Sequence, residues 1–86
     1  MLTYRCFAFK DLSIEQLYDI MALRQVVFVV GQNCPYLDAD GKDQLGYHVL
    51  GVDKDGVLQA YTRILGPGIS YDQYPSIGRV ANAMAI

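Results

Sequence analysis

The sequence predicts one mixed α/β (α+β) unit with the element order β-α-β-β-β. Three observations carry that prediction. A strong helix start at Ser13 opens a run of helical spacing, and a turn signal at Asp53-Lys54-Asp55-Gly56 joins two strand-like segments. The third is length: 86 residues leave room for one core and exclude two independent domains. A chain of that size buries only about 60–65% of its unfolded surface, so the core is adequate but marginal. With 52% hydrophobic and 19% charged residues, a disordered or acidic-tail chain is excluded. An apolar fraction that high in so few residues implies apolar surface meant for something outside this chain.

The elements follow in order. Thr3 to Phe9 is aromatic-rich and reads as a first strand. Ser13 followed by Gln16 fits a capping box, Leu12 and Leu17 fit a hydrophobic staple, and Asp11 and Glu15 suit the positive pole of the helix dipole. From Ile14 the apolar residues Leu17, Tyr18, Met21 and Phe28 form one stripe, interrupted at Arg24 and Gln25. Leu23, Val26, Val27 and Val30 add a second, so the later turns read as a helix buried on more than one side. Gly31 is the expected left-handed terminator, although the β-branched run Val26–Val30 is also compatible with a strand. Gln32 to Gly46 reads as a polar loop and Tyr47 to Val52 as a short strand. Asp53 to Gly56 is the hairpin turn, with Gly56 supplying the positive φ. In the strand from Val57 to Leu65, Leu58, Ala60, Thr62 and Ile64 share one face and Val57, Gln59, Tyr61, Arg63 and Leu65 the other. Gly66-Pro67-Gly68 breaks it, and Ser76 to Ala83 is the last strand.

The remaining composition narrows the setting. A net charge of −2 gives no electrostatic footprint for nucleic acid or anionic lipid. Two cysteines, Cys6 and Cys34, are too few for a disulfide framework, and Met1 to Arg5 lacks the pattern of a signal peptide. The longest apolar run, Val26–Val30, is far short of the about 20 residues a membrane span needs. The expectation is a cytoplasmic chain with reduced thiols.

Local motifs suggest four chemistries. Asp38 to Asp43 invites a calcium loop, but Lys42, Asp43 and Val49 stand where a loop of that kind needs an oxygen ligand, Gly and Glu, so a turn-rich exposed loop is expected and no metal. Arg63-Ile64-Leu65-Gly66-Pro67-Gly68 spells the (Gln/Arg)-x-x-Gly-x-Gly of a pyrophosphate-binding loop. Pro67 has no N–H to offer and no helical pattern follows, so a strand end and loop are expected instead. Cys34 and His48 pose as nucleophile and base, with no signature around Cys34 to support them. Tyr36, Tyr47, Tyr71 and Tyr74 lie in or beside loops, where tyrosines line clefts or cover cores.

The segment from Leu23 to Asp43, with Leu23-Arg24, the Val-Phe run into Gln32-Asn33-Cys34-Pro35-Tyr36, and Asp38-Ala39-Asp40-Gly41, resembles the ElaA-like branch of the GNAT N-acetyltransferases. Ala60 to Leu65 and Ile77-Gly78-Arg79-Val80 agree with it in order and spacing, so the resemblance runs from about Ser13 to Val80. It implies a GNAT-like (acyl-CoA N-acyltransferase) fold: strand, helix and a mostly antiparallel meander ending in the fourth strand. The implied activity is transfer of an acyl group from acetyl-CoA to a primary amine, small-molecule or peptide. Backbone donors of the fourth strand, at Val80, Ala81 and Asn82, would polarise the thioester and pair with the pantetheine arm. Arg24, Tyr36 and Arg63 would line the amine site, although Arg24 and Arg63 suit buried pairing at least as well.

Against that pattern, Ala81-Asn82-Ala83-Met84-Ala85-Ile86 replaces the branched apolar residues usual in the fourth strand. The resemblance also implies the amino-terminal part of a domain truncated after its fourth strand. The pyrophosphate loop and any thiolate-protonating tyrosine would then lie beyond Ile86. The isolated chain is therefore expected to be inactive, with general acid and base unassigned. The alternative is an interaction module completed by a homodimer or another chain through its last strand.

Overall fold

The computed structural model describes residues 1–33, 37–69 and 73–83. Strand β1 is Thr3–Ala8, helix α1 is Ile14–Arg24, and strands β2, β3 and β4 are Tyr47–Val52, Leu58–Leu65 and Ser76–Asn82. The strands form one antiparallel sheet in the order β1-β2-β3-β4, so that among the described residues β1 and β4 are the outer strands. The order β-α-β-β-β stands, and Tyr47–Val52 is a strand over the expected residues. Phe9 instead begins a short 3₁₀ turn, Phe9–Asp11, because the chain must bend there to reach the helix.

Helix α1 starts where the capping box requires. Gln16 N–H donates to Ser13 Oγ at 3.0 Å and Ser13 N–H donates to Gln16 Oε1 at 2.8 Å. Two otherwise orphaned amides are thus satisfied within one turn. The helix presents Ile20, Leu23 and Arg24 to the sheet, a three-and-four spacing that makes one buried face. That face differs from the expected stripe: Ile14 and Tyr18 point to solvent at 86% and 75% exposure. The helix is rotated because Arg24, an interruption in the apolar pattern, finds carboxylate partners on the inner side.

The second half of the expected helix is a wider π-helical turn, Gln25–Val30, in which Gly31 N–H donates to Val26 O, five residues back, at 2.7 Å. None of its residues is buried, so this segment is not enclosed on two sides as its composition suggested. The segment ends at Gly31 as expected, but not through a left-handed glycine. Gly31 keeps right-handed angles, and Asn33 takes the left-handed conformation at φ 51°. The extra residue per turn delays the reversal, and asparagine is among the few side chains that accept it.

The β2–β3 hairpin turns at Asp53–Gly56. Asp53 Oδ1 accepts from the Asp55 and Val57 amides, and Gly56 adopts φ +82°. Leu50, Tyr61 and Ala81 lie side by side across β2, β3 and β4 and pack with Ile20 and Leu23 into the core. The next row, Phe7, His48, Arg63 and Gly78, leads away from the core toward the 37–46 loop. Burial of Tyr61, Arg63 and Leu65 confirms the predicted alternation along β3.

Strand β4 departs from the ladder. Tyr61 pairs with Ala81 but Arg63 pairs with Gly78, so Arg79 and Val80 oppose the lone Thr62. This is a β-bulge, and Arg79 enters it at φ 51°. A left-handed non-glycine residue costs about 1–2 kcal/mol, so surrounding contacts must hold it there. Thr62 Oγ1 donates to Gly78 O at 3.1 Å, satisfying a carbonyl beside the bulge.

Candidate functional site

The site is built at the end of the sheet where β2 begins, β3 ends and β4 bulges. The 37–46 loop folds over that end and turns at Asp43–Leu45 in a short 3₁₀ segment. Gly46 allows the close approach: a Cβ there would meet Leu65 Cδ2 at 2.8 Å and Ile64 O at 3.1 Å. Most of the loop is exposed as expected, but Asp38 and Asp43 are buried at 6% and 4% exposure, which its composition did not suggest. Its carboxylates are turned inward because three arginines from three different elements meet them.

Arg24 of α1, fully buried, donates from Nε to Asp38 Oδ2 at 2.8 Å, from Nη1 to Asp43 Oδ1 at 2.6 Å and from Nη2 to the Asp38 carbonyl at 2.8 Å. Arg63 of β3 forks onto Asp40, Nη1 to Oδ1 at 2.8 Å and Nη2 to Oδ2 at 3.0 Å, and Nη1 also reaches Asp43 Oδ1 at 2.9 Å. Arg79 of β4 places Nε 2.8 Å from Asp38 Oδ1 and Nη2 3.3 Å from Asp40 Oδ2, and donates from Nη2 to the Asp38 carbonyl at 3.2 Å. Three cations and three anions balance, which is the condition under which buried charge is tolerated. Burial alone would lower the pKa of Arg24, but its bonds and charge pairing with Asp43 and Asp38 more than offset this and raise it. Arg63 is raised likewise through Asp40 and Asp43 against its desolvation. The hydrogen bond from Arg63 holds the Asp40 carboxyl well below the usual carboxylate range.

Beneath the loop lies a neutral pair. His48 is fully buried; its Nε2 sits 2.9 Å from the Asp43 carbonyl and its Nδ1 2.6 Å from the Tyr61 hydroxyl. A carbonyl only accepts, so Nε2 carries the hydrogen and Nδ1 accepts from Tyr61. Desolvation lowers the His48 pKa and pushes the Tyr61 phenol up to about 12, so both stay uncharged at neutral pH. His48 is thus a structural tie between loop and strand, sealed from any substrate proton.

The sequence-derived residues divide accordingly. Arg24 and Arg63 are brought together, and the structure places both guanidinia in buried pairing. Tyr36 and Cys34 lie outside the described residues, as does Tyr71; Tyr47 and Tyr74 are exposed and cover no core. Gly66 to Gly68 runs into a turn and not a helix, with Gly68 at φ +90°. Val80, Ala81 and Asn82 lie together on β4, Val80 within its bulge and the other two just past it. With Tyr4, Val49, Ala60 and Thr62 they line a cleft of about 230 Å³. Sequence reasoning missed the roles of Asp38, Asp40, Asp43 and Arg79. The available signal was three carboxylates within six residues facing a chain with only seven basic residues.

Comparisons with known proteins fit this arrangement. No protein-family model matches the chain. The UPF0039 protein sll0451 of Synechocystis is 47% identical over 78 residues, spanning 91% of this chain and 50% of that protein. Escherichia coli ElaA is 46% identical over 67 residues, spanning 76% of this chain and 43% of ElaA. Among solved structures, an acyl-CoA N-acyltransferase from Pseudomonas aeruginosa superposes with a TM-score of 0.88 at 38% identity, and E. coli ElaA with 0.88 at 41%. These alignments cover 99% and 100% of this chain and 58% of each neighbour. The chain therefore spans about half the length of the curated relatives it matches.

Proposed function

The chain belongs to the ElaA-like branch of the GNAT superfamily, and on that premise we propose that it forms the acyl-CoA-facing part of an N-acetyltransferase. The observation that carries the reading is β4: an outer strand among the described residues, bulged at Arg79–Val80, whose residues Val80, Ala81 and Asn82 border an open cleft. An edge strand offers a row of N–H and C=O groups, to which an extended pantetheine arm adds as another strand. Backbone N–H groups aimed at the thioester oxygen stabilise the charge that develops there as an amine attacks. In that step the amine nitrogen bonds to the acetyl carbon, the C–S bond breaks, and the amine proton and the coenzyme A thiolate combine to give free thiol. Acetyl-CoA and a small-molecule or peptide amine are the proposed substrates.

On this reading Arg24 and Arg63 serve the amine side by fixing the 37–46 loop. No turn among the described residues leads a glycine-rich segment into a helix N-terminus, the usual anchor for a pyrophosphate. The chain alone is accordingly proposed to hold acyl-CoA weakly and not to turn over. The same edge supports a second reading, in which β4 pairs with β4 of another copy. Photolabelling with a benzophenone-tagged acyl-CoA tests the first. Label is expected on the peptide spanning residues 76–83 and should be displaced by coenzyme A. Even labelling of the whole chain would sink the reading. Label lost as the chain dimerises on dilution-reversible sedimentation would favour the second.

A further inference from the structure

Arg79 combines two features, one of backbone and one of side chain. It is one of two non-glycine residues described at positive φ, and it lies inside a strand, where no turn accounts for that conformation. Its side chain is also drawn back from the sheet edge to the loop, with Nε 2.8 Å from Asp38 Oδ1 and Nη2 within 3.3 Å of both the Asp38 carbonyl and Asp40 Oδ2. Those acceptors are themselves fixed. Asp38 is held by fully buried Arg24 and Asp40 by the fork of Arg63. The anionic seat is therefore held by α1 and β3, with the Lys42 amide also donating to Asp40 Oδ1 at 3.1 Å, and β4 supplies the third cation that neutralises it.

We propose that Arg79 is a positioning residue: the seat formed by Asp38 and Asp40 clamps its guanidinium, and that clamp holds the β4 bulge which sets the spacing of the Val80–Asn82 backbone. Its meaning for catalysis rests on the acyl-CoA reading above; its structural half does not. The physical reason is geometric. A bulge shifts the following residues by one position along the ladder, so it decides which amides face β3 and which face outward. A residue in a sparsely populated backbone region stays there only while its surroundings over-determine it. The seat does so through a two-sided contact that a lysine, a point charge on a flexible stem, reproduces only in part.

The test measures amide exchange and backbone chemical shifts of the 86-residue chain and three variants. In Arg79→Gly the left-handed conformation is no longer costly but the clamp is gone. Exchange at residues 78–82 should rise at least tenfold while Leu50 and Ile20 change less than twofold. Arg79→Lys should fall between. Asp40→Asn keeps Arg79 itself, so the Cα and Cβ shifts of residue 79 should move toward those of ordinary strand. Equal loosening of all strands, or an unmoved residue 79 in Asp40→Asn, would overturn the proposal. If Arg79→Gly does not fold, Asp40→Asn decides alone. Benzophenone acyl-CoA labelling of the same samples separates the two claims. Selective loosening of β4 with an unlabelled wild-type chain leaves the clamp standing and removes the acyl-CoA reading. Labelling undiminished in an Arg79→Gly chain whose β4 is rigid removes the clamp and leaves that reading standing.

Discussion

The two edges of the sheet are built differently. Strand β1 pairs with β2 through six consecutive positions without a break, and its Arg5 guanidinium lies 5.3 Å from the Phe7 ring centroid of the same strand. Strand β4 breaks register at Arg79–Val80 and is tied by Arg79 to a loop about 40 residues earlier in sequence. Regular β1 needs only its ladder. Strand β4 holds a conformation its own residues disfavour, and a balanced set of six charges supports it. Strain maintained from outside the strand is the pattern expected where backbone must be presented to a ligand.

Ways of breaking this contrast rank by size. Asp43 touches Arg24 and Arg63 at once, so Asp43→Ala leaves two buried guanidinia short of a partner. Urea denaturation should show a loss of about 3–5 kcal/mol, with β4 amides exchanging before those of β1. Ile20→Ala removes a fully buried side chain from the centre of the core. Its cost of about 2–5 kcal/mol should loosen both edges alike, since the core around Ile20 includes Ala81 of β4 and has Phe7 of β1 packed against it. A loss confined to one edge would show that the edges do not share this core.

Acid sharpens the contrast further. His48 is buried and its pKa lowered, so the unfolded chain takes up a proton first as pH falls. Its contribution is complete above about pH 6.5 and declines below it, by at most about 1.4 kcal/mol per pH unit. The carboxyl of Asp40, lowered by Arg63, adds its own loss only below its ordinary range near pH 4. Thermal melts from pH 7.5 to 5 should therefore slope downward in the parent and run flatter in His48→Gln. The smallest effect is at the helix start: Ser13→Ala loses one capping bond, about 1 kcal/mol, and should leave the difference between the edges unchanged.

What was legible in the sequence was local. Ser13 and Gln16 are three residues apart, the hairpin turn reads from four residues, and alternation along β3 needs only its own side chains. What was not legible was long-range. Buried pairing suits Arg24 from the sequence and it is among the most buried residues described, but its partners are not legible there, because they lie 14 and 19 positions away. Asp38 and Asp43 read as a solvated turn for the same reason. The bulge at Arg79 is invisible to pattern, since nothing in Ile77-Gly78-Arg79-Val80 marks which residue will turn left-handed. The surplus of apolar residues was legible in amount but not in place: Ile14, Tyr18 and Val30 after the helix start, and Ile77 and Val80 on β4, are all well over half exposed.

The central claim is that β4, and not β1, presents backbone to acyl-CoA. Titrating the isotope-labelled chain with coenzyme A and following each amide by NMR tests it most directly. The account predicts saturable shifts at Val80, Ala81 and Asn82, with Thr3 to Ala8 unmoved. Shifts shared by β1, or β4 amides unchanged at millimolar coenzyme A, would contradict it.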